Sequence, residues 1–200
     1  GLLDMFGPET QGWLDALNQW SGVPSETISH VALAWFPGQE GVPEVAAAIR
    51  LNEPKSLETL LDTWDVSSAR GPGGETIYAG DTRDALAYFP MTQGRPAEAA
   101  DDLVDAFAVG SIARIGEVAE MGGAPVVLPR LLEELWQSAR PNDAIAFLTQ
   151  PNFLVSDARR WMDATSPELI PWIRQNLLAD CGGMLVRVAS TSDDSSSETS

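Results

Sequence analysis

The stretch from Ile28 to Trp64 carries the hydrophobic pattern around which the chain is organised. Apolar residues fill nearly every position from Ile28 to Pro37, and a second apolar run extends from Pro43 to Leu51. Short apolar runs of this kind favour strands, and the two glycines in the link between them favour a hairpin. The pattern therefore predicts two neighbouring strands.

A helix is predicted directly after this hairpin, from Pro54 to Trp64. Its apolar residues recur at i, i+3, i+4 and i+7, which places them on one helix face: Leu57, Leu60, Leu61 and Trp64. Asn52 is the expected N-cap, and Pro54 suits the first helical turn. Such a stripe needs an apolar surface to cover, and the two strands supply one.

The remaining chain repeats the theme of short strands and covering helices. Further helices are predicted over Pro8–Trp20, Ser111–Met121, Leu128–Ala139, Asp157–Ala164 and Glu168–Ala179. Further strands are predicted over Glu75–Gly80, Asp84–Pro90, Leu103–Gly110, Asp143–Thr149 and Met184–Ala189, and residues 67–75 are predicted to form a flexible loop. Neighbouring strands precede each returning helix, so the sequence predicts an α+β fold, with a mostly antiparallel sheet and helices packed on one face.

The same pattern suggests a division of the chain. We expect a leading helical segment over residues 1–27, a main α+β domain over 28–165, the start of a second copy of the module over 166–190, and a disordered acidic, serine-rich tail over 191–200. The second copy is inferred because a helix, a turn and a strand occur near both ends of the chain. Chance likeness is the alternative, since amphipathic helices often precede strands. The first residue, Gly1, lies inside an apolar stretch, so we expect a segment of a longer protein.

Charge and cysteine content exclude several classes of protein. The chain has 29 acidic and 12 basic residues, a formal charge of −17, which argues against nucleic acids and anionic membranes as partners. Cys181 is the single cysteine, so an intramolecular disulfide and a cysteine-cluster metal site are excluded. No apolar run approaches the ~20 residues of a transmembrane helix.

His30, the only histidine, and Ser111 are the candidates for nucleophilic catalysis. A general base needs a nucleophile and an orienting carboxylate beside it, and the sequence around Ser111 lacks the G-x-S-x-G elbow. We interpret His30 as a strand-edge residue with a satisfied hydrogen bond, and Ser111 as the N-cap of the next helix.

Acidic clusters are the candidates for a metal site. They are Asp81 and Asp84, then Asp101, Asp102 and Asp105, and finally Asp193 and Asp194. None has the spacing of a calcium loop, and Arg83 adjoins the first cluster. Gly71, Gly73 and Gly74 lack the Lys and Ser/Thr of a phosphate-binding loop. We therefore interpret the acids as solvated turn residues and predict no metal or cofactor.

The tryptophans are the candidates for a core or a contact surface. Four of them lie on the apolar stripe of a predicted helix and are predicted to be core residues: Trp13, Trp20, Trp64 and Trp136. Trp161 and Trp172 are not assigned to the core, and exposure of either would indicate a contact surface.

Cys181 follows a helix C-terminus, which disfavours a thiolate, and we interpret it as inert.

The order of elements and small residues resembles an uncharacterised bacterial domain family. The likeness rests on the segments LETLLDTW, IYAGDTRDALAYFP, VGSIARIGEVAEMGG, LPRLLEELW and DAIAFLTQPNFL, and covers roughly Ile28 to Trp161. The resemblance implies a membrane-anchored, extracytoplasmic parent protein that carries the module in tandem. It implies no activity, and it supplies no functional residues.

These observations lead us to expect a non-enzymatic domain of a larger bacterial envelope protein, with a scaffold or protein-binding role and no catalytic residues. The expected partner is another protein or a neighbouring domain of the same chain. We expect an extracytoplasmic location through a segment outside this chain, with the cytoplasm as the alternative. The competing hypotheses are a carboxylate-based hydrolase and a carrier of a small apolar ligand. A deep pocket with convergent carboxylates would favour the hydrolase over a flat contact surface.

Overall fold

The computed structural model describes residues 18–38, 43–81, 86–124, 128–139, 143–179 and 181–189. These residues form two compact units. The first contains residues 18–36 and the described residues from 44 to 124, and the second contains residues 37–38 and 43 with the described residues from 128 to 189. The divisions predicted after residues 27, 165 and 190 stay a prediction.

A seven-stranded sheet forms the first unit. Its strands are β1 (Ile28–Phe36), β2 (Glu44–Ser56), β3 (Ser67–Arg70), β4 (Thr76–Ala79), β5 (Ala87–Thr92), β6 (Arg95–Pro96) and β7 (Leu103–Gly110). The spatial order is β1-β2-β7-β5-β4-β3, and β6 pairs with β5. Each of these pairings is antiparallel.

Two helices cover this sheet, α1 (Leu57–Trp64) and α2 (Ile112–Glu120). Successive side chains of a strand point to opposite faces, and β7 divides accordingly: Phe107 and Val109 belong to the core that contains α1, whereas Ala108 belongs to the core that contains α2. The α+β class and the antiparallel sheet are thus confirmed. The sequence placed the helices on one face, but in this unit α1 and α2 take opposite faces, because the central strands are apolar on both sides.

The start of α1 differs from the prediction. Strand β2 continues to Ser56, so Asn52 and Pro54 lie in the strand, and the expected N-cap and first-turn roles are wrong. After an irregularity that follows Arg50, β2 pairs with β7 again at Lys55 and Ser56. The N-cap is Ser56, whose side chain accepts a hydrogen bond of 3.3 Å from the backbone N–H of Thr59.

Residues 67–70 were expected in a loop but form the edge strand β3, which pairs with β4. The loop prediction is wrong. The sequence did not indicate this strand because it has no apolar alternation and only one half-buried residue, Ala69. The hairpin of β4 and β5 is confirmed by the pair Tyr78↔Tyr88, although residues 82–85 of its turn lie outside the described part. Strand β7 and its following N-cap, Ser111, are also confirmed.

The second unit contains a two-stranded antiparallel sheet, β8 (Asp143–Thr149) and β9 (Met184–Ala189), which matches both predicted strands. Helix α3 (Arg130–Trp136) packs on this sheet. Three short helices pack on one another: α4 (Pro151–Val155), α5 (Arg159–Thr165) and α6 (Leu169–Asn176). Their common core consists of Leu154, Val155, Met162, Ile170 and Ile173. Helix α4 was not predicted, because five residues are too few to show a helical period.

Trp64 lies at the centre of the first core. Its ring stacks on Tyr88 with centroids 4.3 Å apart and an interplanar angle of 11°, and its centroid lies 4.9 Å from that of Phe107. Its Nε1 donates a hydrogen bond of 2.8 Å to the carbonyl oxygen of Ser21, which is fully buried. Trp64 therefore joins α1, the central strands and the segment that precedes β1.

We predict that Trp64→Phe lowers the free energy of unfolding by about 1–3 kcal/mol, because it leaves the buried carbonyl of Ser21 without its donor. Trp64→Ala should cost about 3–5 kcal/mol, since the aromatic contacts are lost as well. Urea unfolding followed by circular dichroism measures both. The control is Trp136→Phe, at an exposed site, where a change within about 0.5 kcal/mol is expected. Equal losses at the two positions would contradict a central role for Trp64.

Candidate functional site

A small cavity in the first unit is the first candidate site. It has a volume of about 200 Å³ and is lined by Glu75, Thr76, Tyr78, Phe89, Pro90, Pro96, Ala97, Glu98 and Ala119. Pockets for organic ligands usually measure ~300–1,000 Å³. The cavity combines the carboxylates of Glu75 and Glu98 with a phenol and the hydroxyl of Thr76, and its lining has no His, Cys or Lys.

Tyr78 is the lining residue whose protonation bears on chemistry at the cavity. Burial raises the pKa of the Tyr78 phenol, and the nearby carboxylates of Glu98 and Asp102 raise it further. The phenol is therefore protonated at neutral pH and acts as a hydrogen-bond donor, not as a base. Tyr78 therefore does not serve as a third base beside the carboxylates of Glu75 and Glu98.

The carboxylates of Glu75 and Glu120 are crowded together at the end of α2. Both lie against Gly73, where an added side chain would overlap them. One oxygen of Glu75, Oε2, is buried and has no hydrogen-bond partner among the described residues. Glu120 also occupies the last position of α2, where the helix dipole disfavours a negative charge. No group of three or more His, Cys, Asp or Glu in the described part has metal-binding geometry.

His30 and Ser111 are not brought together. His30 is exposed on β1 opposite Arg50 of β2, whereas Ser111 follows β7, on the far side of β2. The hydroxyl of Ser111 accepts a hydrogen bond of 3.4 Å from the backbone N–H of Arg114, so it caps α2. The cap role expected of Ser111 and the strand position expected of His30 are confirmed, and the hydrogen bond expected of His30 stays a prediction.

Asp102 has a defined role, unlike its exposed neighbour Asp101. Its carboxylate accepts hydrogen bonds from the backbone N–H groups of Glu98 and Ala99, at 2.9 and 3.0 Å, and pairs with Arg95 at 3.2 Å. The backbone of the same turn receives the first N–H groups of α1: Leu57 donates to the carbonyl of Asp102, at 3.0 Å. Asp102 therefore fixes the turn on which α1 begins.

The other acidic and cysteine candidates show no common site. Asp105 accepts a hydrogen bond of 3.2 Å from the backbone N–H of Gln93. Asp81 is exposed, while Asp84, Asp193 and Asp194 lie outside the described residues. The thiol of Cys181 is half-buried and donates to the carbonyl of Gly183 at 3.0 Å.

The tryptophans divide between the two units. Trp64 is buried and Trp20 is half-buried against the same core, which confirms two of the core assignments, whereas Trp13 lies outside the described residues. Trp136 is 48% exposed, so its assignment to the core is wrong. Helix α3 covers a sheet of only two strands, which is too narrow to bury its whole apolar stripe.

Exposed apolar side chains are concentrated in the second unit. Of the eight most exposed large apolar side chains in the described part, six belong to this unit: Leu131, Trp136, Trp161, Leu169, Trp172 and Leu178. Trp161 is 41% exposed and Trp172 is 52% exposed, on the neighbouring helices α5 and α6. We call the exposed side chains of Trp161, Leu169 and Trp172 the α5–α6 surface.

No protein-family model, curated protein or solved structure matches this chain. The resemblance to a bacterial domain family therefore stays a prediction. In the described ranges, no helix is both long enough and apolar enough to cross a bilayer.

We predict that Glu120→Gln raises the free energy of unfolding by about 0.3–0.5 kcal/mol, because it removes a negative charge beside Glu75 and at the end of α2. The matched control is Glu117→Gln, one turn earlier, which breaks a 2.8 Å ion pair with Arg114 and should lower the same free energy. Denaturant titrations at low and high salt measure both. A loss of stability in Glu120→Gln would show that Glu120 has a favourable partner.

We also predict that Asp102→Asn destabilises the protein in a pH-dependent way. Hydrogen bonds from the backbone of Glu98 and Ala99, and the charge of Arg95, hold the pKa of Asp102 below its usual value. The ionised carboxylate therefore stabilises the fold at neutral pH, and this contribution is lost as the pH falls through the lowered pKa. The stability difference between the protein and the variant should shrink in acid. Asp101→Asn is the control, and a difference independent of pH would contradict the account.

Proposed function

We propose that this chain is a protein-binding domain of a larger bacterial envelope protein, and that the α5–α6 surface is its contact surface. The observation that carries the proposal is the exposure of Trp161 and Trp172 on neighbouring helices. Tryptophan is buried on average, and it is enriched in protein interfaces, where it often supplies much of the binding energy.

The helices beneath this surface give it a fixed support. On α6, Ile170 and Ile173 are buried, whereas Leu169 and Trp172 are exposed. On α5, Met162 enters the same core as the two isoleucines, and its neighbour Trp161 is exposed. A partner would therefore meet large apolar side chains already held by packed helices, which limits the entropy lost on binding.

The charge distribution also favours contact through the second unit. Residues 1–126 contain 19 acidic and six basic residues, whereas residues 127–189 contain seven acidic and six basic ones. The strong negative field of the chain thus arises mainly outside the α5–α6 surface. Exposed arginines, Arg159 and Arg174, lie on the same two helices, and arginine is likewise enriched in interfaces.

The competing functions have weaker support. The cavity of about 200 Å³ is small for an organic substrate or an apolar ligand, and its lining mixes apolar side chains with Glu75 and Glu98. A hydrolase needs a carboxyl group placed as acid and a second as base or nucleophile. The hydrolase and carrier hypotheses stay predictions that a substrate or lipid screen would test.

We expect Trp161→Ala/Trp172→Ala to weaken partner binding by at least 30-fold, the effect of losing an interface hot spot of about 2 kcal/mol. The immobilised domain captures candidates from an envelope extract of the native host, and each purified candidate is then titrated against the domain, the double variant and Trp136→Ala. Trp136 is equally exposed, on α3, and serves as the matched control. Circular dichroism verifies that each variant is folded.

Two results would count against the proposal. If no purified protein binds the unchanged domain directly, the protein-binding role is wrong. If the double variant binds a partner as tightly as the unchanged domain does, the role stands but the α5–α6 surface is not its contact surface.

A further inference from the structure

Strand β1 ends the sheet of the first unit on one side. It has nine residues and pairs along one edge with β2, from Ile28↔Leu51 to Phe36↔Glu44. No strand in the described part pairs with its other edge. In an edge strand, every second residue turns its backbone N–H and C=O groups away from the sheet, where they are available to another strand.

This edge lacks the features that usually prevent strand pairing. From Ile28 to Phe36 there is no Lys, Arg, Asp, Glu or Pro, and the one irregularity lies at its start, between Ile28 and His30. The opposite end of the sheet is different, because β3 has only four residues and ends in Arg70. Charged residues, prolines, bulges and short length are the devices that protect edges. Among the described strands, β1 is the sheet edge that lacks these devices.

We propose that β1 pairs antiparallel with β1 of a second copy of this chain, so that two seven-stranded sheets join across a twofold axis. The net charge restricts the places at which two copies can meet. Each copy carries a formal charge of −17, so two copies repel one another over most of their surface. β1 offers nine consecutive residues without charge, and a twofold axis lets the same strand meet itself.

The side chains of β1 fit such a pairing. When the two copies overlap from His30 to Phe36, the regularly paired part of β1, the axis passes beside Leu33, and Ala32 of each copy lies opposite Ala34 of the other. These side chains are small and exposed, and they oppose small side chains from the partner strand. Val31 and Leu33 point to the other face, where they already pack against the core of α1. Pairing through β1 would therefore continue this apolar face from one copy into the next.

The test compares substitutions on two neighbouring strands. Ala32→Lys/Ala34→Lys places lysines directly across the axis from lysines of the partner copy, where like charges oppose pairing. Ala48→Lys is the matched control, because Ala48 is exposed on the inner strand β2, directly opposite Ala32 within the same copy. Sedimentation equilibrium over a range of protein concentrations should show a dimer for the unchanged chain and for Ala48→Lys. The double lysine variant should dimerise at least tenfold more weakly.

Charge complementation then identifies the strand that pairs. Ala32→Glu/Ala34→Glu should also be monomeric on its own, and an equimolar mixture with the double lysine variant should form a mixed dimer, because opposite charges now face one another. Higher salt should strengthen dimerisation of the unchanged chain by screening its net charge.

A monomeric unchanged chain at all concentrations and salt strengths would overturn the proposal. So would a dimer that the β1 substitutions leave intact, or a mixture of the two charged variants that stays monomeric.

Discussion

The packing of Trp64 is the interaction on which the first unit depends. Its indole ring covers Tyr88 and meets Phe107, so α1 is held against the central strands β5 and β7. Its N–H binds the buried carbonyl of Ser21, which fixes the segment before β1. Gly22 is the residue that permits this approach, since an added side chain there would overlap the indole.

A second constraint acts at the other end of α1. The turn held by the carboxylate of Asp102 supplies the carbonyl groups that receive the N–H groups of Leu57 and Glu58. Together with the Ser56 cap, this turn satisfies the donors of the first helical turn. The helix is thus anchored by a polar contact at its start and by an aromatic contact at its end.

Much of this fold follows from local pattern. The stripe from Leu57 to Trp64 predicted the buried face of α1, and alternating or continuous apolar runs predicted β1, β7, β8 and β9. The failures have physical causes. β3 is polar and becomes a strand because β4 pairs with it, and β2 extends through Pro54 because β7 accepts its far end. The residues of β3 do not show that β4 will pair with them, and the residues at the end of β2 do not show that β7 will.

The candidate surface was only partly predictable from the sequence. Trp161 and Trp172 were named as candidate contact residues because neither was assigned to a predicted apolar stripe. Both are exposed in the structure. Trp136 was assigned to the core because its spacing is that of a buried stripe, yet the narrow sheet of β8 and β9 leaves it in solvent. Spacing shows that one side of a helix is apolar. It does not show how much surface is available to cover that side.

The central claim is that the first unit shields its core tryptophan, whereas the second presents tryptophans to solvent. Fluorine NMR of the chain labelled with 5-fluorotryptophan tests it most directly, with each resonance assigned by single substitution and compared in H₂O and D₂O. The account predicts that the resonance of Trp64 is insensitive to the solvent isotope, and that those of Trp161 and Trp172 shift nearly as much as the free amino acid. Resonances of Trp161 and Trp172 as insensitive as that of Trp64 would contradict it.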